Sequence, residues 1–361
     1  MDTDTIKKII KYGTYAPSGD NSQPWKFVIT NNKKILIYIR PEKDNPILNV
    51  HSGGSYLSSG AVIENIRIAS FCFGYELSVE YFPDNNDDTL VSELSFKSIN
   101  NTNNKKRNGK WLEIIKERST NRKLYSSTIG KKTLDYLYEI KDKLNTDSCK
   151  ILYISNQKDK NLIAKELSLS EQIILETEEL HKLLYKDVVW TKKKELIKRH
   201  GLFVKTLEFN PIQTLIFWFC RKWSFISRLN RIGFSKFVAK QNEKTYKHSG
   251  LIGFLIIKET RPSDYLHAGE IMQNIWLNST KFNLSFQPVT GIFFLNEAIN
   301  EQKGKSPISN FNCKLINSSY NKLSDLLKLQ PSENILLSFR IGESKRTKNR
   351  SSRLPANIIL K

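Results

Sequence analysis

Two helix-length segments, far apart in the chain, carry nearly the same residues, and this pairing constrains the fold more than any other feature of the 361-residue sequence. Laid on each other at an offset of 209, the difference between Gly269 and Gly60, the segments are "YLSSGAVIENIRIASFCF" (56–73) and "YLHAGEIMQNIWLNSTKF" (265–282). They are identical at Tyr56/Tyr265, Leu57/Leu266, Gly60/Gly269, Asn65/Asn274, Ile66/Ile275, Ser70/Ser279 and Phe73/Phe282. Helices that are apolar on most faces are buried on most faces. Two buried helices converge easily on Gly, Leu and Ile, but matched Asn and Tyr argue for a true repeat. The expectation is therefore a homodimer fused into one chain, with the paired helices meeting at a pseudo-twofold axis.

Around these helices the pattern alternates between helix and strand. A helix over 4–14 leads to the loop "APSGDNSQPWKF" (16–27), and "WKFVIT" and "KILIYI" then form a hairpin around Asn31-Asn32. Strands are predicted near 76–83 and 90–97, and the polar, aperiodic run 98–110 reads as a linker. Helices near 110–117 and 132–145, the strand "CKILYIS", one long helix over about 157–184 and the buried strand "SGLIGFLII" follow before the second apolar helix.

The whole-chain features exclude more than they assign. Four cysteines lie far apart with no CxxC pair, which fits a reducing cytoplasm, and five scattered histidines show no metal-binding spacing. "RIGESKRTK" lacks the spacing of a nucleotide phosphate loop. The opening "MDTDTIKK" precedes no apolar run, so no secretory signal is expected. The run Leu215 to Cys220 is far shorter than the roughly 20 residues of a membrane span. The formal charge of +21 is mostly spread out.

The two halves differ where chemistry is expected. Only the first carries the 16–27 loop, whose proline-bounded Ser/Gly/Asp/Asn cluster holds backbone donors and amides in fixed positions. Only the second carries "ERSTNRKLY", in which Arg118, Thr120 and Arg122 alternate. In an extended chain that alternation sends two guanidiniums and a hydroxyl to one side, a set suited to a phosphate dianion. Complementary losses of this kind point to one composite site.

Ser18-x-x-Asn21-x-Gln23-Pro24-Trp25 resembles the flavin-contacting loop of FMN-dependent nitroreductases, and Arg118-x-Thr120-x-Arg122 is similar to that family's Arg-x-Ser-x-Arg phosphate motif. "NLSFQPVTG" (283–291) resembles the turn after the family's central helix, and "SSRLP" (351–355) its C-terminal basic segment. The resemblance touches most of the chain except 185–248. It implies an α+β sandwich of the nitroreductase type: a first repeat over 1–100, a linker over 101–110, and a second repeat over 111–361 with an insertion at about 185–248. One FMN per chain would lie between the repeats, in a pseudo-dimeric monomer.

Roles follow from the same resemblance. Arg118, Thr120 and Arg353 would bind the FMN phosphate, and Arg122 would sit near the ribityl chain or the pyrimidine edge. The backbone of Pro17 and Ser18 and the Asn21 amide would contact the ring edge, with Val289, Thr290 and Gly291 beside it and the Thr290/Gly291 backbone donating to N5. No catalytic side chain is implied, because the flavin carries the chemistry between NADH or NADPH and a nitroaromatic, quinone or activated alkene. The alternative is a flavin-sequestering protein with little turnover. Two departures favour a single site: Ser351 replaces the usual basic residue two before Arg353, with Lys348 and Arg350 nearby, and the first half has no Arg motif.

The stretch 221–247 carries Arg221, Lys222, Arg228, Arg231, Lys236, Lys240, Lys244 and Lys247 against Glu243 alone, after the apolar "PIQTLIFWFC". One reading is a lid that packs Phe217, Trp218, Trp223 and Phe225 on the flavin. The other is a surface helix over 211–247 resting on anionic lipid, which would make a cytoplasmic protein peripheral to the membrane. Nucleic acid is disfavoured, since no recognised module accompanies the basic residues.

Overall fold

The computed structural model describes residues 1–99, 105–302 and 306–361, without the side chains of 105–108. The first half contains α1 (Thr3–Gly13), β1 (Trp25–Ile29), β2 (Ile35–Ile39), α2 (Gly53–Cys72), β3 (Tyr75–Tyr81) and β4 (Leu90–Ser98). Next come α3 (Lys105–Glu117), α4 (Lys131–Leu144), β5 (Cys149–Ile154), α5 (Gln157–Leu167), α6 (Leu169–Glu176) and α7 (Glu178–Lys186). The following stretch holds β6 (Val188–Val189), α8 (Lys192–Lys198), β7 (Leu202–Phe203), α9 (Pro211–Phe219), α10 (Trp223–Arg231) and α11 (Phe234–Lys247). The chain then runs through β8 (Leu251–Ile257), α12 (Pro262–Lys281), β9 (Ser285–Val289), α13 (Gly291–Gln302), α14 (Asn310–Leu326), β10 (Asn334–Gly342) and β11 (Ile358–Leu360). The architecture is α+β.

Two antiparallel sheets share one connectivity. In the first, β1, β2, β4 and β3 are neighbours in that order, and in the second β5, β8, β10 and β9 are. Each sheet thus runs first, second, fourth, third, with the long apolar helix, α2 or α12, between its second and third strands. The first sheet gains β11 at its edge, parallel to β1, from the arm that leaves the second sheet after β10.

α2 and α12 pack directly on each other, and their contacts are reciprocal. A Cβ on Gly60 would stand 1.9 Å from the Leu266 carbonyl oxygen, and one on Gly269 2.1 Å from that of Leu57, so only glycine permits this approach. Farther along, Asn274 donates to Glu64 (2.7 Å) and Gln273 donates to Asn65 (2.7 Å). At the 209-residue offset these contacts exchange partners, the pattern of an interface between like surfaces. The main core runs through this crossing, from Ile6, Ile9 and Phe27 on one side to Trp276, Leu337 and Phe339 on the other.

Two expectations on helix boundaries change. The run over 157–184 is not one helix but α5, α6 and α7, because the Ser168 hydroxyl turns back to the Lys165 carbonyl (3.0 Å) and Thr177 adopts an extended backbone. Residues 105–110 of the expected linker already belong to α3, while 101–104 lie outside the described residues. Among the described residues, no helix is long and apolar enough to cross a membrane.

Candidate functional site

The loop after α1 and the segment after α3 meet at a cavity of about 940 Å³. Pro17, Ser18, Asn21, Arg118, Thr120, Arg122 and Arg353 all line it. Asn21 and Arg353, 332 positions apart, are therefore brought to one wall.

Local geometry explains how each piece is held. In the loop, Asp20, Asn21 and Gln23 have φ of 45°, 59° and 55°, left-handed values that non-glycine residues keep only when their surroundings enforce them. The enforcement is visible: the Gln23 N–H donates to the Ser18 hydroxyl (3.0 Å), and the Gln23 amide donates to the Arg199 carbonyl (2.8 Å) and accepts from the Leu354 N–H (2.9 Å). The segment 118–122 behaves as an added strand beside β9. Thr120 bridges Phe286, and buried Asn121 donates from its backbone to Phe286 and from its side chain to Ser285 and the Lys345 carbonyl. That extension turns Arg118, Thr120 and Arg122 to the cavity.

The electrostatics are unusual. Eight Lys or Arg residues line the cavity against the carboxylate of Asp20. Arg118 is buried with its guanidinium 4.3 Å from the Trp276 ring centroid, and donates to the Tyr15 carbonyl (2.8 Å). Arg353 reaches the same carbonyl (3.4 Å), that of Ala16 (3.1 Å) and the Asn21 side chain (2.7 Å). Both arginines keep a buried Nε with no hydrogen-bond partner. The arginine ion pairs among the described residues belong instead to Arg40, Arg67, Arg261 and Arg346. Burial, with Arg353 and Arg350 nearby, pulls Arg118 well below the usual arginine range, and burial lowers Arg353 to about 10. Two guanidiniums that share a carbonyl, each with an unpartnered Nε, are groups able to hold a dianion. Among the described residues no cluster of carboxylate, thiol and imidazole groups has the makings of a metal site.

Two groups of expected residues stand off this cavity. Val289, Thr290 and Gly291 do not line it. The β9 end near Thr120 is Ser285–Phe286, and Val289 lies about 10 Å farther along the strand at its ordinary rise. There α13 begins against Ser170, whose hydroxyl would stand 2.7 Å from a Cβ on Gly291. Nor do Phe217, Trp218, Trp223 and Phe225 line the cavity. Phe217 stacks among Tyr185, Trp190 and Phe209, Trp223 packs on His181, and Trp218 and Phe225 are at the surface.

The cover comes from an earlier part of the insertion. Leu196, Arg199, Leu202 and Thr206 line the cavity. The Arg199 carbonyl accepts from Gln23 and Asn21, Thr206 accepts from Arg122 (2.9 Å), and Glu195 accepts from the Ser352 N–H. Asn21 also donates to the Ser352 carbonyl (3.1 Å). Its amide is thus engaged by protein on every side.

Sequence reasoning also missed the Tyr15 carbonyl, which has no side-chain signature, and Trp276, hidden in an apolar helix pattern. Arg340 on β10 was missed too. It is fully buried off the cavity, donating to Gln287 (2.7 Å) and to the Lys123 (2.7 Å) and Thr245 (3.2 Å) carbonyls, 3.8 Å from the Tyr125 ring centroid.

No family model matches the chain. A Mycobacterium tuberculosis protein provisionally named NAD(P)H nitroreductase acg is 33% identical over 96 residues, 26% of this chain and 28% of that one. An uncharacterised protein of the same organism is 20% identical over 292 residues, 81% of this chain and 39% of that one. The chain thus spans well under half the length of these curated relatives. Among solved structures, nitroreductase A from Vibrio parahaemolyticus is 11% identical at a TM-score of 0.37, covering 68% of this chain and 71% of that one. A nitroreductase with bound FMN from Desulfitobacterium hafniense is 12% identical at a TM-score of 0.35, covering 68% and 94%. The chain is thus similar in sequence, over about a quarter of its length, to a protein named as a nitroreductase.

Proposed function

We propose that the cavity binds FMN by its phosphate and that the protein is a flavin-dependent oxidoreductase. The observation that carries this is the pair Arg118 and Arg353: Arg118 buried and Arg353 half-buried, neither in an ion pair among the described residues, and each with a buried Nε that has no partner. A phosphate dianion between them would accept the two spare donors and offset the mutual repulsion of the guanidiniums. Thr120 supplies a hydroxyl at the same wall, and a cavity of about 940 Å³ is of cofactor size. The similarity to nitroreductases supplies the identity of the phosphorylated group.

When bound, FMN supplies hydride chemistry, with NADH or NADPH as donor and a nitroaromatic, quinone or activated alkene as acceptor. The chain's own contribution is placement and exclusion of water. The Arg122 guanidinium brings positive charge to the cavity, and the segment 195–206 covers it. Val289, Thr290 and Gly291 stand off the cavity wall, so the ring contacts are proposed for the Pro17 and Ser18 backbone, and Asn21, whose amide is held by Arg199, Ser352 and Arg353, is proposed to position Arg353. The common strand order and the reciprocal α2–α12 contacts support a duplicated chain that acts as a pseudo-dimeric monomer.

A second reading, sequestration of flavin without turnover, is favoured by the hydrogen bonds that tie the cover to the 18–23 loop. One experiment separates them. The purified protein is saturated with FMN and given NADPH or NADH without oxygen. Bleaching of the yellow colour supports the oxidoreductase, stable colour supports sequestration, and failure to retain FMN, with Arg118→Met binding it equally poorly, overturns both.

A further inference from the structure

α9 is a helix whose apolar stripe faces outward. Ile212, Leu215, Ile216 and Phe219 fall at the i, i+3, i+4, i+7 positions of one face, and they are 70%, 56%, 43% and 49% exposed. No residue of α9 is buried, although the helix is well started by Pro211 and by the Asn210–Gln213 capping box. The patch continues across the turn into α10: Trp218 lies 5.0 Å from Phe219, and Phe219 lies 6.1 Å from Phe225. Ile232 and Phe237 extend exposed apolar surface to the start of α11.

The charge along this stretch of chain has one sign. From Phe209 to Asn242 the chain has no acidic residue, and Arg221, Lys222, Arg228, Arg231 and Lys236 are exposed, while Lys240 pairs with Glu243. The Arg221 guanidinium sits 3.7 Å from the Trp218 ring centroid, so a cation and an indole share the rim of the patch. A nine-residue helix is only about 14 Å long, less than half a hydrocarbon core, so it lies on a bilayer and does not cross it.

We propose that α9, α10 and the start of α11 dock on an anionic lipid bilayer, with the α9 stripe in the interfacial layer and the Lys and Arg side chains against acidic headgroups. Apolar burial supplies the anchoring, and the basic rim supplies selectivity for anionic lipid. A nucleic acid would satisfy the cations and leave the apolar stripe in water, so lipid accounts for both halves of the surface. This surface is separate from the cavity, and the proposal stands without the flavin assignment.

The test is cosedimentation of the full chain with vesicles of phosphatidylcholine alone and of phosphatidylcholine with phosphatidylserine at moderate salt. Partitioning onto the anionic vesicles is expected, with at least about tenfold less onto the neutral ones. Ile212→Ser/Ile216→Ser/Phe219→Ser and Arg228→Gln/Arg231→Gln should each lower it by about tenfold or more. All five positions are surface positions, and unchanged circular dichroism confirms the fold. Three results overturn the proposal: no partitioning onto either vesicle, partitioning that both variants leave intact, or a wild-type dimer in sedimentation that the triple variant disperses, which would show a second copy covering the stripe.

Discussion

Arg340 and the Arg118–Arg353 pair are arginine sites of different design. Around Arg340 every guanidinium nitrogen has an acceptor, from Gln287 and three carbonyls, with a tyrosine face alongside. Arg118 and Arg353 each keep a buried Nε without an acceptor, and the two cations lean on one carbonyl. Removing a charge from water costs several kcal/mol in either place. The first site recovers this within the fold, and under the proposed function the second would recover it on binding an anion.

The sharpest way to break this contrast is at Arg340. Arg340→Met removes the donor to four acceptors in the interior and should lower the free energy of unfolding by about 3–5 kcal/mol in denaturant titrations. Arg118→Met should do the opposite without ligand, leaving stability unchanged or raised. In the wild type, FMN at about a hundred times its Kd should add about 2.7 kcal/mol of stability. Arg118→Met should weaken FMN binding by about 1.5–3 kcal/mol in fluorescence-quenching titrations. Equal stability losses in the two arginine variants would erase the distinction. Asn21→Ala removes the acceptor that holds Arg353, and its smaller loss of FMN affinity, about 1 kcal/mol, would show the two halves serving one ligand.

The weakest effect is a pH dependence next to Arg340. Glu171, which accepts from the Tyr246 hydroxyl, is pushed up to about 7 by burial, and Tyr246 lies over the Arg340 side. Its folded value exceeds its unfolded one, so between about pH 4.5 and 7 the folded state holds more protons and stability falls as pH rises. Glu171→Gln should flatten that slope in melts across this window.

Much of this was readable from residues. The α2/α12 pairing showed because its matched Asn and Tyr are residues that apolar convergence does not select. Ser18 to Gln23 and Arg118 to Arg122 showed because turn chemistry and alternation are local. Arg340 did not show, since "NILLSFRIG" reads as an ordinary buried strand and its partners come from three distant segments. The insertion's aromatics misled because a periodic stripe says that a helix has an apolar face and is silent on what that face meets. The Ser168 and Thr177 breaks were invisible because neither residue is a strong helix breaker.

The β10–β11 arm has a kinetic consequence. It carries Arg353 to a partner 332 positions away and ends as a strand on the other half's sheet. Closing a loop over such a separation is slow, so the arm is expected to dock after the local elements form. If the cavity takes the proposed ligand, its uptake during refolding should lag behind the recovery of secondary structure.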